Sequence, residues 1–493
     1  MLETVKIPRE IRLIIKKLKE NGFQAYIVGG CVRDILRNKK PNDWDITTNA
    51  KPPEIQKIFP KSYLENDFGT VTVLTKSKDI TLKEIEITPY RIESKYSDLR
   101  HPDEVTWAET LEEDLKRRDF TINAMAIEIE GINYRLIDLF NGLEDLNKKI
   151  IRAVGNPEER FQEDALRLIR AIRFAVTLDE DIIWEIEENT AKAIKNNAKL
   201  LEYISKERIR DEFFKIIGSK NGARGVELLR RFGLLIFIIP ELEEGFGLEQ
   251  NKHHIYQVYQ HALLSLNYAC QKNFPIEVRI AALLHDVGKP RTKQGEGPNS
   301  TFYNHEIVGA KITQEILERL KFPKKDIEKI VKLVRYHLFY YNQEEVSDSS
   351  VRRLLRNVGI ENFDDLLKVR QADRIGSGVP KAEPYRLRYL RYVAEKVLQD
   401  PISVKMLKVN GNDVMRILNI KPGPKIGQIL DILLAEVLEN PEKNEKSFLE
   451  KEIQTLGQLS EEELSNLAKK AREERERIEQ KRDEMTKKKY WLT

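Results

Sequence analysis

The chain has 493 residues, more than one hydrophobic core holds, so three or four domains are expected. Apolar residues make up 41% and charged residues 33%, a soluble globular composition with a charge-rich surface, and no apolar run nears the roughly 18 to 20 residues that a helix needs to span a bilayer. A net charge of +4 is too small to announce a polyanionic partner, so local clusters have to carry that argument.

In chain order, "VKIPREIRLIIKKLKENGF" reads as an amphipathic helix without a signal-peptide pattern. Only Cys31 and Cys270 are present, so no disulfide framework is expected and a cytoplasmic setting is. "AYIVGG", "WDITTN", "TVTVLT", "EIEITPYR" and "AMAIEIEG" are short apolar or alternating runs bounded by turn residues. They predict about five strands before residue 150. From Gln162 onward the periodicity is helical, as in "EDALRLIRAIRFAV" and "RIRDEFFKIIG". The end, after Ser460 and Glu463 as a capping box, reads as one long charged helix, a solvated face or a weak interaction arm.

Asp43 and Asp45 stand at i and i+2 in a strand-like segment, which turns both carboxylates to one face. Hard oxygen ligands so spaced suit Mg²⁺, and two such ions can hold the attacking and leaving oxygens of a phosphoryl displacement. Glu86 is a candidate third carboxylate. Gly29 and Gly30 close a strand and open a helix, an arrangement that meets phosphate, and Arg33 follows one turn later.

The joint pattern G-G-x-x-R-D and, nine residues on, D-x-D resembles the polymerase-β-like nucleotidyltransferases. The branch is class II, with its CCA-adding enzymes and bacterial poly(A) polymerases. "RRDFTINAMA" and "EDALRLIRAIRFA" match two further motifs of that family. The resemblance implies an α+β fold: a head with a mixed sheet, then all-α neck, HD and tail domains. It implies a nucleotide site holding Arg118, Asp119, Asn123, Arg170 and Arg173, and leaves open which of Arg117 and Arg118 points inward. Read as one helix, Asp164 and Arg167 are neighbours one turn apart. Cytosine and adenine both offer an amine donor beside a ring-nitrogen acceptor, which a carboxylate and a guanidinium complement. Guanine and uracil offer the reverse. The resemblance implies this base-reading role for Asp164 and Arg167. "PYRIESKYSDLRHPDEV" is similar to the loop of enzymes that complete the full addition, and His101 within it is read as a surface residue.

Of seven histidines, six lie between His253 and His337. The order of His261, His285, Asp286 and Asp373 resembles the HD phosphohydrolases, with His305 and His337 as candidates for a second ion. Ni²⁺, Co²⁺, Mn²⁺ or Mg²⁺ would suit these ligands. "KVNGNDVMRILNIKPGPKIGQIL" resembles the tail of HD-containing CCA-adding enzymes.

The expected domains are a head at 1–150, a helical neck at 151–250, an HD domain at 251–375, a tRNA-binding tail at 376–445 and a charged helix at 446–493. The expected activity is addition of CMP, CMP and AMP from CTP and ATP to the tRNA 3′ end, with two Mg²⁺ ions and release of pyrophosphate. Alternatives are an A-only enzyme, a poly(A) polymerase, or an HD hydrolase with an RNA-binding head. No membrane partner is expected, and the chain is read as a monomer or homodimer.

Overall fold

A computed structural model of the chain describes residues 7–65, 69–94, 104–131, 133–250, 255–339, 347–398 and 404–492. The chain forms two compact units, each discontinuous in sequence. The first is Met1–Leu338 with Asp364–Pro380; the second is Phe339–Phe363 with Lys381–Thr493.

The first unit begins with the amphipathic helix Arg9–Glu20, which buries Ile11, Ile14, Ile15 and Leu18 along one stripe. The strands that follow are β1 (Ala25–Val28), β2 (Asp45–Thr48), β3 (Ser62–Leu64), β4 (Val71–Leu74), β5 (Glu84–Pro89), β6 (Arg91–Ser94), β7 (Glu104–Trp107), β8 (Met125–Glu130) and β9 (Asn133–Asp138). Seven of them make one mixed sheet in the order β3-β4-β5-β2-β1-β8-β9. Only β2 and β5 run parallel; every other neighbouring pair is antiparallel.

The sheet therefore has two strands more than the five expected. The additions are its two edges. β3 spans three residues, two of them exposed, and "NYRLID" in β9 turns no residue fully inward, so neither shows a strong apolar alternation. β6 and β7 pair as a separate hairpin, Arg91 opposite Trp107, at the base of the segment read as a functional loop. Residues 95–103 of that segment, His101 included, lie outside the described residues, as do His253 and His254. One short parallel pair, β10 (Ile150–Ile151) with β11 (Glu185–Ile186), interrupts the otherwise helical remainder.

The central helix after the sheet is Leu166–Thr177, buried through Leu168, Ile169, Ile172 and Ala175 and packed against the helices Lys206–Gly218 and Gly222–Arg231. The helices Val258–Gln271, Ile276–Leu284, His305–Arg319, Lys324–Arg335 and Phe363–Gly376 follow.

In the second unit the helices Gly411–Leu418 and Pro424–Glu439 flank the Lys-Pro-Gly-Pro turn, with Pro424 at the first helical position. The last helix, Glu461–Lys489, starts on the Ser460 and Glu463 capping box, as read from sequence. It is more than a solvated arm. Leu464, Ala468 and Ala471 join the apolar core of this unit, Arg472 bonds Asp431 at 2.7 Å, and Asp483 accepts from the Tyr392 hydroxyl.

Candidate active site and metal centre

Asp45 opens β2, and Asp43 sits in the bend two residues earlier rather than in the strand. Asp45 lies beside Glu86 in the parallel register of β2 and β5, so their side chains leave the same face. Thr72 stands opposite Glu86, and its hydroxyl donates to Glu65 at 2.8 Å, which adds Glu65 to the carboxylates on this face. Crowding registers in their protonation. Burial first, then the Asp43 charge, pushes Asp45 up to about 6, while Arg118 acts the other way. Burial, then Asp45, Glu65 and Asp43, pushes Glu86 up to about 7. Carboxylates that resist ionising side by side fit a divalent cation, whose charge removes the conflict.

Gly29 has φ of +81°, and a Cβ there would stand 3.2 Å from Asp45 Oδ2 and 3.0 Å from Arg118 Nη1. Only glycine lets the turn come this close to both. Gly30 begins the following helix, Gly30–Leu36. The two arginines take different directions. Arg117 turns to Asp114, at 2.7 and 3.0 Å, whereas Arg118 reaches the Gly29 and Asp45 corner and touches Asp114 at 3.3 Å. Asp114 is fully buried and also accepts from Thr47 at 3.3 Å.

Arg33, Asn123, Asp119 and Arg170 form a chain behind this corner. Arg33 Nη1 donates to Asn123 Oδ1 at 2.7 Å, Asn123 Nδ2 to Asp119 Oδ1 at 3.1 Å, and Arg170 Nε to Asp119 Oδ2 at 2.9 Å. Burial opposes the Asp119 charge, but Arg170 and Asn123 outweigh it and hold the carboxyl well below the usual range. Arg173 pairs with Glu212 and lies over the Phe174 ring at 3.8 Å. The arginines at three-residue steps thus meet separate acids.

Asp164 and Arg167, the pair expected to read the base, depart from the expected arrangement. Asp164 ends the helix Pro157–Glu163 in an extended conformation, and the next helix starts at Leu166, so Asp164 and Arg167 do not share one helix. The Arg167 backbone N–H donates to the Asp164 carbonyl at 3.0 Å, but the two side chains turn to other partners. Arg167 donates to Glu163 Oε2 at 2.7 Å, to the Arg160 carbonyl at 3.0 Å and to the Arg117 carbonyl at 2.9 Å. Asp164 accepts from Arg208 at 3.0 Å. The reason is local: the Asp164 side chain caps the Leu166 backbone N–H at 3.1 Å, which starts a new helix there.

The predicted HD residues converge. His261 and His285 bring their Nε2 atoms within 2.9 Å of each other and each within 3.3 Å of Asp286 Oδ2. Asp373 Oδ1 lies 3.3 Å from His261 and 3.8 Å from His285. The other oxygen of Asp286 faces His305 at 3.2 Å and His337 at 3.8 Å. Two metal-sized ligand groups therefore share Asp286: His261, His285 and Asp286, and Asp286, His305 and His337.

The His-Asp pair itself sits just past the helix Ile276–Leu284 rather than within it. Gly288 makes the approach possible, since a Cβ there would come 2.3 Å from the His305 carbonyl oxygen. His285, His305 and His337 each direct Nδ1 at the carbonyl three residues earlier, at 2.8, 2.7 and 2.6 Å. Donation from Nδ1 leaves the lone pair on Nε2, the ligand form of the ring. The Nε2 atoms of His305 and His337 are buried with no hydrogen-bond partner, which fits an ion in that place. Burial, then the His285 charge, pushes His337 down to about 3, so it is neutral at physiological pH.

Lys289 and Arg370 brace the two acids, Lys289 at 2.6 Å from both Asp286 and Gln250, Arg370 on Asp373. A cavity of about 540 Å³ opens onto this centre, lined by Lys289, Arg370 and Arg374 among others.

Asp114, Glu65, Arg208, Lys289 and Gln250 were not legible as site residues. They carry no spacing of their own and gain meaning only from the partner the fold gives them.

The regions that carry these residues match known families. Residues 25–152 match the model of the poly A polymerase head domain, 184–246 that of the probable RNA and SrmB-binding site of polymerase A, and 252–376 that of the HD domain. The CCA-adding enzyme of Lactobacillus helveticus is 45% identical over 247 residues, half of this chain and 57% of that protein. That of Ligilactobacillus salivarius is 36% identical over 441 residues, 88% of this chain and 93% of that protein. The chain belongs to the CCA-adding enzyme family. The CCA-adding enzyme of Bacillus stearothermophilus, solved in complex with CTP, superposes with a TM-score of 0.55 at 29% identity, covering 91% of this chain and 98% of that one.

As a member of the CCA-adding enzymes, this chain carries its acids under a sign that can be tested. The folded pKa values of Asp45 and Glu86 lie above their ordinary values, so between about pH 4 and 7 the folded state holds more protons than the unfolded state. Stability of the metal-free protein is therefore expected to fall as pH rises through that window. Glu86→Gln should raise the melting midpoint in EDTA at pH 7.5 and leave it unchanged at pH 4. An equal shift at both pH values would contradict the assignment.

Proposed function

We propose that this chain adds CMP, CMP and AMP to the 3′ end of tRNA, using CTP and ATP and releasing pyrophosphate. The observation that carries this reading is the meeting of Asp43, Asp45 and Glu86 with Arg118 at the Gly29 turn. Two Mg²⁺ ions held by Asp43 and Asp45, with Glu86 beside them, would supply charge neutralisation at the attacking and leaving oxygens. Arg118 faces the place a triphosphate would fill, and Asp114 behind it fixes the direction of its fork.

Base choice falls to Asp164 and Arg167. The carboxylate accepts from the exocyclic amine of C or A, and the guanidinium donates to the ring nitrogen. G and U place a carbonyl before the carboxylate and a ring N–H before the guanidinium. A buried group left unpaired costs about 1–3 kcal/mol, which sets the scale of rejection. Asp164→Ala or Arg167→Ala is expected to slow correct addition and to raise UTP or GTP incorporation about tenfold relative to ATP. Strict C and A selection by both variants would place the template elsewhere. The reading as a whole is tested by supplying single nucleotides to tRNA lacking zero, two or three terminal residues and sequencing the ends. Extension by A alone from tRNA that already ends in C-C, with no C addition, would favour the A-only alternative.

The histidine centre supports a second activity. Ni²⁺, Co²⁺, Mn²⁺ or Mg²⁺ bound by His261, His285, Asp286 and Asp373, with His305 and His337 for a second ion, would supply Lewis acidity toward a phosphoester. Lys289 and Arg370, each paired with a ligand acid, and Arg374 stand in the lining of the adjoining cavity, where a phosphoester would meet cationic side chains beside the ions.

A further inference from the structure

The carboxylate that reads the base is gripped from a helix outside the base-reading motif. Asp164 lies in the break before Leu166, and its Oδ1 accepts the Leu166 backbone N–H at 3.1 Å. From the helix Lys206–Gly218, Arg208 reaches both oxygens, Nη2 to Oδ2 at 3.0 Å and Nη1 to Oδ1 at 3.4 Å. One turn further along that helix, Glu212 is 3% exposed and pairs with Arg173. Arg208 and Glu212 thus hold the two ends of the segment from Asp164 to Arg173.

We propose that Arg208 is a specificity-determining positioning residue, which fixes the Asp164 carboxylate so that one acceptor site faces the incoming base. The count follows from the contacts. An ionised carboxylate has about four lone-pair sites. The Leu166 N–H and Arg208 Nη1 fill those on Oδ1, and Arg208 Nη2 fills one on Oδ2. One site on Oδ2 remains. A single acceptor in a fixed place takes the amine of C or A and repels the carbonyl of G or U.

Without the fork, the carboxylate rotates about its side-chain torsions. Lysine supplies a charge but not the two-point geometry, so it restores only part of the effect.

The inference rests on the reading of Asp164 and Arg167 as the base readers, and its test separates the two. Arg208→Ala, Arg208→Lys and Asp164→Ala are compared with wild type in single-nucleotide addition to tRNA lacking its last residue. For each NTP, kcat and KM are measured apart. Arg208→Ala is expected to raise the ratio of UTP or GTP to ATP incorporation about tenfold, mainly through a higher KM for ATP, with Arg208→Lys in between.

A merely structural role would slow all four nucleotides alike and leave the ratio unchanged. That outcome overturns the inference. Relaxed selection by Asp164→Ala beside strict selection by Arg208→Ala also overturns it and leaves the base-reading assignment standing. Strict selection by both removes that assignment and this inference with it. Should Arg208→Ala fail to fold, Arg208→Gln, which keeps the length and loses the charge, carries the same comparison.

Discussion

Asp43→Ala and Asp45→Ala are each expected to lower nucleotide addition by about 10²- to 10³-fold, the scale on which single electrostatic stabilisers of a transition state act. Folding and tRNA binding should persist. Asp43 is exposed, so its loss opens no cavity. Asp45 is a carboxylate whose ionisation the fold resists, with burial and Asp43 pushing it up to about 6. Removing it relieves the metal-free protein rather than burdening it. The measurement combines single-turnover addition to tRNA lacking C-C-A, tRNA retention on a filter, and thermal melting of the same preparations. Addition near the wild-type rate by either variant would sink the assignment of this face.

The second large effect lies at the histidine centre. His285→Ala combined with Asp286→Ala should leave C-C-A addition intact and remove any metal-dependent phosphohydrolysis. Asp286 is the one acid shared by both ligand groups, and His285 belongs to the first, so both positions lose ligands at once. Metal sites depend on each ligand, and losses of about 10- to 100-fold in affinity follow even from partners one layer out. The assay hydrolyses 2′,3′-cyclic AMP with added Ni²⁺, Co²⁺ or Mg²⁺ beside the addition assay, and elemental analysis counts the bound ions. Bound ions without hydrolysis in the wild type would mark the centre as structural. Loss of both activities in a folded variant would contradict two independent sites.

Much of this was legible before the fold. Asp43, Asp45, Asp164 and Arg167 stand in motifs whose spacing is specific, and the histidines and aspartates singled out by their order are brought together by the fold. What the sequence hid has physical reasons. β3 and β9 are sheet edges, where one row of hydrogen bonds and a half-exposed face leave little alternation to read. The break at Asp164 was hidden because "EDALRLIRAIRFA" keeps helical periodicity across it. A side chain capping the next backbone N–H changes the path without changing the pattern. Arg208 gains its role only through Asp164, about 44 residues away, a separation that periodicity does not see, and Asp114 gains its role only once the fold carries Arg118 to the Gly29 turn.

The interleaving of the two units bears on how the histidine centre is assembled. The chain leaves the first unit after Leu338 and returns at Asp364, and only then supplies Asp373, which stands 3.3 Å from His261. An ion bound by both would join residues roughly 110 positions apart, and a cross-link over a loop of that length withholds on the order of 4–5 kcal/mol of chain entropy from the unfolded ensemble. The metal would then serve as a clasp on the returning strand of chain, whatever chemistry it also performs. Chelation should loosen the segment Asp364–Pro380 ahead of the sheet, visible as early amide exchange there. During synthesis, an ion captured by His261 and His285 would gain its last ligand only after the intervening excursion has been made.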